Sequence, residues 1–184
     1  RLPEIPTVEK DGHTMLPPAE SWELEGDQPN MEFPQLYTLF PFNTYSFDDT
    51  AGLEIAKNTW LYNSKASAQK NYICWFQGGI FSARFGLTDE AKSYAMNKFL
   101  HPLGDRGNTK IPVRRFPAFW DNPGFCQCPD MDHGGSGMVG LQDMLMQAKG
   151  KHIYLLPAWP TDWDCDFKLH APYNTIVQGT IRNG

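Results

Sequence analysis

Apolar residues recur at three- and four-residue spacing through the middle of the chain and at two-residue spacing towards its C-terminus. Ile73, Phe76, Ile80 and Ala83 make one face of a helix predicted over 67–86. Gly78 and Gly79 fall in its middle, at a cost of roughly 1 kcal/mol each. A helix bears that cost where another backbone or a ligand comes close. Gly86 suits the end of this helix, Thr88 the start of the next, and Asp89 and Glu90 complement its positive end. The second helix is predicted over 88–101, stopped by Pro102. So short a link makes the pair an antiparallel αα-hairpin.

A further helix is predicted over 50–63, with Asp48, Asp49 and Thr50 as candidate caps, and another over 136–149, with Met138, Leu141, Met144, Leu145 and Ala148 on one face. Alternation at Ile153 and Leu155, at Phe167 and Leu169, and through 175–182 predicts strands. Asn183-Gly184 follows the last of these as a hairpin turn signal, so the chain reads as part of a longer protein cut within a β-hairpin. Residues 1–30, with five prolines, read as an extended loop. Residues 102–135, rich in Pro, Gly, Phe and Trp, read as a long loop of the kind that carries function.

Composition narrows the classes of function. The 184 residues include 16 glycines and 15 prolines, which lengthens loops without the polarity of a disordered chain, since 41% of residues are hydrophobic. No run of about 18 apolar residues occurs, which argues against a membrane-spanning helix. A net charge of -5 without a basic block argues against nucleic acid as partner. Aromatics reach 14%, with six Trp, enough to fill a core or to line a cleft for hydroxyl-rich ligands. Cys126-x-Cys128 lacks zinc-knuckle spacing, and Cys74 and Cys165 complete no set, so no metal and no cofactor is expected.

Several motifs in order carry a family resemblance. Met131-Asp132-His133-Gly134-Gly135-Ser136-Gly137 leads into Gln142-Asp143-Met144-Leu145, and Leu155-Leu156-Pro157-Ala158-Trp159-Pro160-x-x-Trp163 follows. Upstream stand Glu20-x-Trp22 and Leu36-Tyr37-x-Leu39-Phe40-Pro41. This series resembles the C-terminal part of glycoside hydrolase family 95, the α-L-fucosidase-like enzymes, and still more a related group of large secreted proteins. The resemblance implies a mainly α fold, part of an (α/α)6 toroid over 1–150, with the first strands of a C-terminal β-sandwich over 151–184. It also implies a missing N-terminal part, a secreted or periplasmic location, and an oligo- or polysaccharide substrate.

The chemistry implied is inverting hydrolysis of a glycosidic bond, which needs a proton donor and a base for water. Glu20 matches the general acid of the family, with Pro17, Pro18, Ala19 and Trp22 as the apolar wall that keeps such an acid protonated. Its plain alternative is an exposed loop acid. Asp132 matches the water-activating Asp, and its plain alternative is a helix cap. Glu32, Trp75, Trp120 and His133 are candidate substrate contacts, with Trp22, Phe119 and Phe125 as further stacking surfaces. Trp159 and Trp163 are assigned to packing at the domain junction. The family's His-Arg-His-x-Ser-His run is replaced by Asn30-Met31-Glu32-Phe33-Pro34-Gln35, so the sugar itself stays open. The alternatives are a non-catalytic carbohydrate-binding relative and a toroid-fold polysaccharide lyase.

Overall fold

The computed structural model describes residues 3–21, 33–63, 75–100 and 131–183. The chain divides into two compact units, Arg1–Asn71 and Tyr72–Gly184. The expected boundary at residue 150 falls inside the second.

In the first unit, β1 (Val8–Lys10) and β2 (His13–Met15) form an antiparallel hairpin with Val8 opposite Met15 and Lys10 opposite His13. Asp11 and Gly12 both take positive φ, as a two-residue hairpin turn requires. The extended-loop expectation for 1–30 is therefore corrected at 8–15, where short strands flank an Asp-Gly turn. Helix α1 (Thr50–Tyr62) starts as expected, with Asp49 accepting the Gly52 N–H at 2.9 Å. Its Thr59 accepts the Leu16 N–H at 2.8 Å and donates to the Ile55 carbonyl at 2.9 Å, so one buried hydroxyl joins the helix to the chain leaving β2. His13 stacks on Tyr62 with ring centroids 3.6 Å apart. Met15, Leu16, Phe33, Leu36, Leu39 and Trp60 close the core, Phe33 meeting Trp60 edge-on.

In the second unit, α2 (Gly78–Arg84) and α3 (Thr88–Leu100) form the expected helical hairpin, with Gly86 at positive φ between them. Gly78 lies against Tyr94 in the middle of α3, while Ala83 at the other end of α2 clusters with Ala91 and Ala95. The helix expected over 67–86 begins only at Gly78; residues 75–77 are not helical, and 64–74 lie outside the described residues. The glycine pair thus opens the helix instead of interrupting it. A Cβ on Gly78 would come within 2.6 Å of the Tyr94 ring, so the position admits only glycine without a shift.

Helix α4 (Met131–Leu145) is longer at its start and shorter at its end than 136–149. Met144 and Leu145 of the expected face are buried and Met138 is exposed; the buried stripe continues towards the start of the helix through Gly140, Gly137 and His133. A Cβ on Gly140 would lie 3.2 Å from the backbone carbon of Gly79, and one on Gly137 would lie 3.2 Å from the Lys98 stem and the Phe99 ring. These glycines let α4 approach both α2 and α3 closely. The chain then passes without a loop into β3 (Met146–Lys149), paired antiparallel with β4 (His152–Leu155) around Gly150. Ladder pairing therefore claims Ala148, which the helical spacing had assigned to α4.

Strands β5 (Cys165–Ala171) and β6 (Thr175–Ile181) form a second hairpin, close to the expected spans, with Tyr173 and Asn174 at positive φ in its turn. Phe167 covers Gly179, where a Cβ would come within 2.8 Å of the ring. Asn183 also has positive φ.

The toroid expectation is overturned. The described residues hold four α-helices and three separate two-stranded antiparallel sheets, not stacked helical hairpins around a ring. One helix packs on a hairpin in the first unit, and three pack on one another in the second. No sandwich is formed among the described residues: β5–β6 pairs only with itself. No helix of the described residues is long and apolar enough to cross a membrane.

An ion pair ties the ends of α2 and α4. Arg84 Nε lies 2.6 Å from Asp143 Oδ2, both side chains about 15% exposed. Gln147 Nε2 donates to the carbonyls of Ala83 and Asp143, each at 2.9 Å, and crosses the same junction. Burial pushes the Asp143 carboxyl above the ordinary carboxylate range, against the opposing pull of Arg84.

Two sets of variants test this packing. Gly140→Ala should lower stability by up to about 2 kcal/mol, since the methyl meets backbone that cannot swing aside. Gly135→Ala, where nothing lies within 4 Å, should raise it by about 0.5–1 kcal/mol. Urea unfolding of both variants reads the difference. Asp143→Ala should cost about 3 kcal/mol by breaking this partly buried ion pair. Because the folded Asp143 carboxyl holds its proton more tightly than the unfolded one, its stabilising share is greatest below the ordinary carboxylate range. That share is lost as pH rises through the raised value. The stability of wild type minus that of Asp143→Asn should accordingly fall as pH rises over that window, read by urea unfolding at a series of pH values.

Candidate functional site

A groove of the second unit lies over a floor made mostly of small side chains. Ala83, Ala91, Ala95, Met144 and Ala158 are all buried together, and Phe99, Leu141, Trp159 and Trp163 pack half-buried on top of them. Alanines on α2 and α3 leave room there for two indoles. The groove holds about 580 Å³ between Met96 and Phe99 of α3, Leu141 of α4 and the segment Trp159–Asp166. Its walls are apolar, and its polar groups are few and lie at one side, the composition of a small-ligand site.

The segment carrying the indoles is held at several points. The Leu156 N–H donates to the Leu145 carbonyl at 2.8 Å, and the Ala158 N–H to that of Met144 at 3.1 Å, so the end of α4 fixes where the segment starts. The Trp163 N–H reaches the Pro160 carbonyl at 3.2 Å, closing a tight turn. Within that turn Trp159 Nε1 donates to the Trp163 carbonyl at 3.0 Å. The two rings stand edge to face, centroids 5.5 Å apart and planes at 76°. Lys92 of α3 reaches over: its Nζ lies 2.5 and 2.7 Å from the two Asp162 oxygens and 5.6 Å from the Trp163 ring centroid. The indole pair is therefore set in place before any ligand arrives.

The acids at the groove are Asp162, Asp164 and Asp166. The Lys92 hydrogen bond holds the Asp162 carboxyl below the usual range. The Thr180 hydroxyl, at 2.7 Å, and then Arg182, at 2.7 Å, do the same for Asp166. Both are ionised at neutral pH, so neither is a proton donor. Burial pushes the Cys165 thiol up, which keeps it protonated and unreactive. The chemistry available in this groove is binding: stacking and hydrogen bonding to acceptor oxygens.

The expected site residues are placed as follows. Glu20 is exposed on the turn that follows β2, in the first unit. Asp132 is exposed in the first turn of α4, in the second unit, where a carboxylate also complements the helix dipole. Each belongs to its own unit. Trp75 is half-buried on the turn before α2. His133 is buried, and its Nε2–H donates to the Lys98 carbonyl at 3.0 Å. That bond fixes the tautomer and sets the ring in the α3–α4 packing. Glu32, Trp120, Trp22, Phe119 and Phe125 lie outside the described residues. Among the described residues, no three His, Cys, Asp or Glu side chains gather as a metal site.

Sequence reasoning assigned Trp159 and Trp163 to packing alone and passed over Met96, Phe99 and the three aspartates. The available signal was two tryptophans four apart in a proline-bounded segment, running into Asp162-Trp163-Asp164-Cys165-Asp166. Compared with known proteins, the chain matches no family model and no curated protein sequence.

Proposed function

We propose that the protein acts on carbohydrate, as part of a glycoside hydrolase, and that the Trp159–Trp163 groove holds the glycan. The observation that carries this reading is the pair of fixed, half-buried indoles over an alanine floor with ionised carboxylates alongside. Indole faces suit the apolar faces of sugar rings, and carboxylates accept hydrogen bonds from sugar hydroxyls. The motif series that resembles the α-L-fucosidase-like enzymes runs through this same segment. That resemblance supports hydrolysis as the reaction and a secreted or periplasmic setting.

In this reading binding and chemistry are carried by different residues. The groove acids are ionised and bind. Asp132, exposed on the first turn of α4, is the residue for activating water. The carbohydrate-binding relative without catalysis is the second reading, favoured by the ionised state of both Asp162 and Asp166.

A glycan array followed by titration calorimetry tests the binding. Trp163→Ala should weaken the best glycan about tenfold, equivalent to ~1.4 kcal/mol, while Trp75→Ala should leave it unchanged. Equal affinity in wild type and Trp163→Ala would remove the groove from the role. Hydrolysis is tested by Asp132→Asn on a substrate from the same array. The amide keeps the size of this exposed side chain, so melting temperature should hold, whereas kcat should fall ~10²–10⁴-fold with loss of a general base. Glycan binding with no turnover by wild type would favour the non-catalytic reading.

A further inference from the structure

Charge at the groove does not balance, and the imbalance falls on one residue. Asp162 is paired with Lys92, and Asp166 with Arg182 and Thr180. Asp164 lies between them along the chain and lines the groove. Its Oδ1 accepts the Asn183 N–H at 2.9 Å, and among the described residues it has no ion-pair partner. Arg182, the nearer cation, is attracted to Asp164 as well as Asp166, but it donates one terminal nitrogen to Asp166 and the other to the carbonyls of Cys165 and Ile181, and none to Asp164. The neighbouring thiol of Cys165 is neutral. The rim therefore carries one negative charge in excess, beside two indoles.

We propose that the groove takes a glycan whose sugars carry a protonated primary amine, ring against Trp159 and Trp163 and ammonium at Asp164, and that it turns away uronate- and sulfate-bearing glycans. This rests on the carbohydrate reading above and names its substrate class. Lys92 already displays the arrangement within the protein: one ammonium bound to a carboxylate and set over an indole face. A ligand amine at Asp164 repeats it with the carboxylate that has no such partner. An anionic sugar in the same place meets Asp164 and Asp166 together and is opposed by like charge. The paired cations cannot turn to receive it without leaving Asp162 or Asp166.

The test compares three oligosaccharides of equal length on the full chain by titration calorimetry: a β-1,4-glucosamine oligomer at a pH that protonates its amines, its N-acetylated counterpart, and a galacturonate oligomer. The amine oligomer should bind up to about fivefold tighter than the acetylated one, the scale of one exposed charge pair, and the galacturonate weakest. The preference should shrink as salt is raised. Asp164→Asn keeps an acceptor for the Asn183 N–H, so the fold is retained; it should bring the amine oligomer to the affinity of the acetylated one and leave the latter unchanged. Equal binding of amine and acetylated forms by wild type overturns the proposal while the carbohydrate reading stands. So does a preference that survives Asp164→Asn, or tightest binding of the galacturonate. Binding of none of the three, with a blank glycan array, overturns both.

Discussion

The second unit depends on one close approach, that of the α4 backbone at Gly140 to the α2 backbone at Gly79. Two helices meet that closely only where neither presents a side chain. Gly137 extends the same freedom towards α3, and alanines at 83, 91 and 95 continue the thin layer. Close helices leave little volume between them, so the large side chains gather at the margin of the layer. Phe99, Leu141, Trp159 and Trp163 occupy that margin half-buried. The groove follows from a helix contact built of the smallest residues.

The same approach brings Arg84 within 2.6 Å of Asp143 and sets Gln147 across both helix ends. There the chain turns from helix to strand, and the Met144 and Leu145 carbonyls that α4 leaves open accept the N–H groups of Ala158 and Leu156. The helix terminus thus anchors the segment that bears the indoles. A loose α4 end would let Trp159 and Trp163 drift apart, and the ordering cost would then fall on ligand binding.

Elements whose ends are set by adjacent residues were legible from local signals. Asp49 marks the start of α1, Gly86 and Thr88 mark the α2–α3 link, and alternation marks Thr175–Ile181. Elements settled by distant partners were read less well. The face of α4 was legible at Met144 and Leu145 but not at Gly137 and Gly140, because spacing weighs large apolar residues while contact with α2 and α3 selects glycine. Ala148 continued the helical spacing, yet pairing with Ile153 made it strand. The β1–β2 hairpin went unread although Asp11-Gly12 signals its turn, since three-residue strands show almost no alternation. The toroid rested on resemblance, and nothing in the spacing of residues 1–63 required helical hairpins. Of the site, Glu20 is exposed, the plain alternative for that residue, and Asp132 is exposed within the first turn of α4. The groove itself was hidden because a tryptophan that packs and a tryptophan that binds look alike in sequence, and here each indole does both.

The claim on which the functional account turns is that a saccharide meets Trp159 and Trp163. The most direct measurement is the NMR spectrum of the indole Nε1–H groups during titration with a glycan found by array screening. Trp60, fully buried in the first unit, serves as an internal reference. The account predicts that the Trp159 and Trp163 signals shift together and saturate with the calorimetric affinity while Trp60 stays fixed. Shifts confined to other tryptophans, with Trp159 and Trp163 unmoved at saturation, would contradict it.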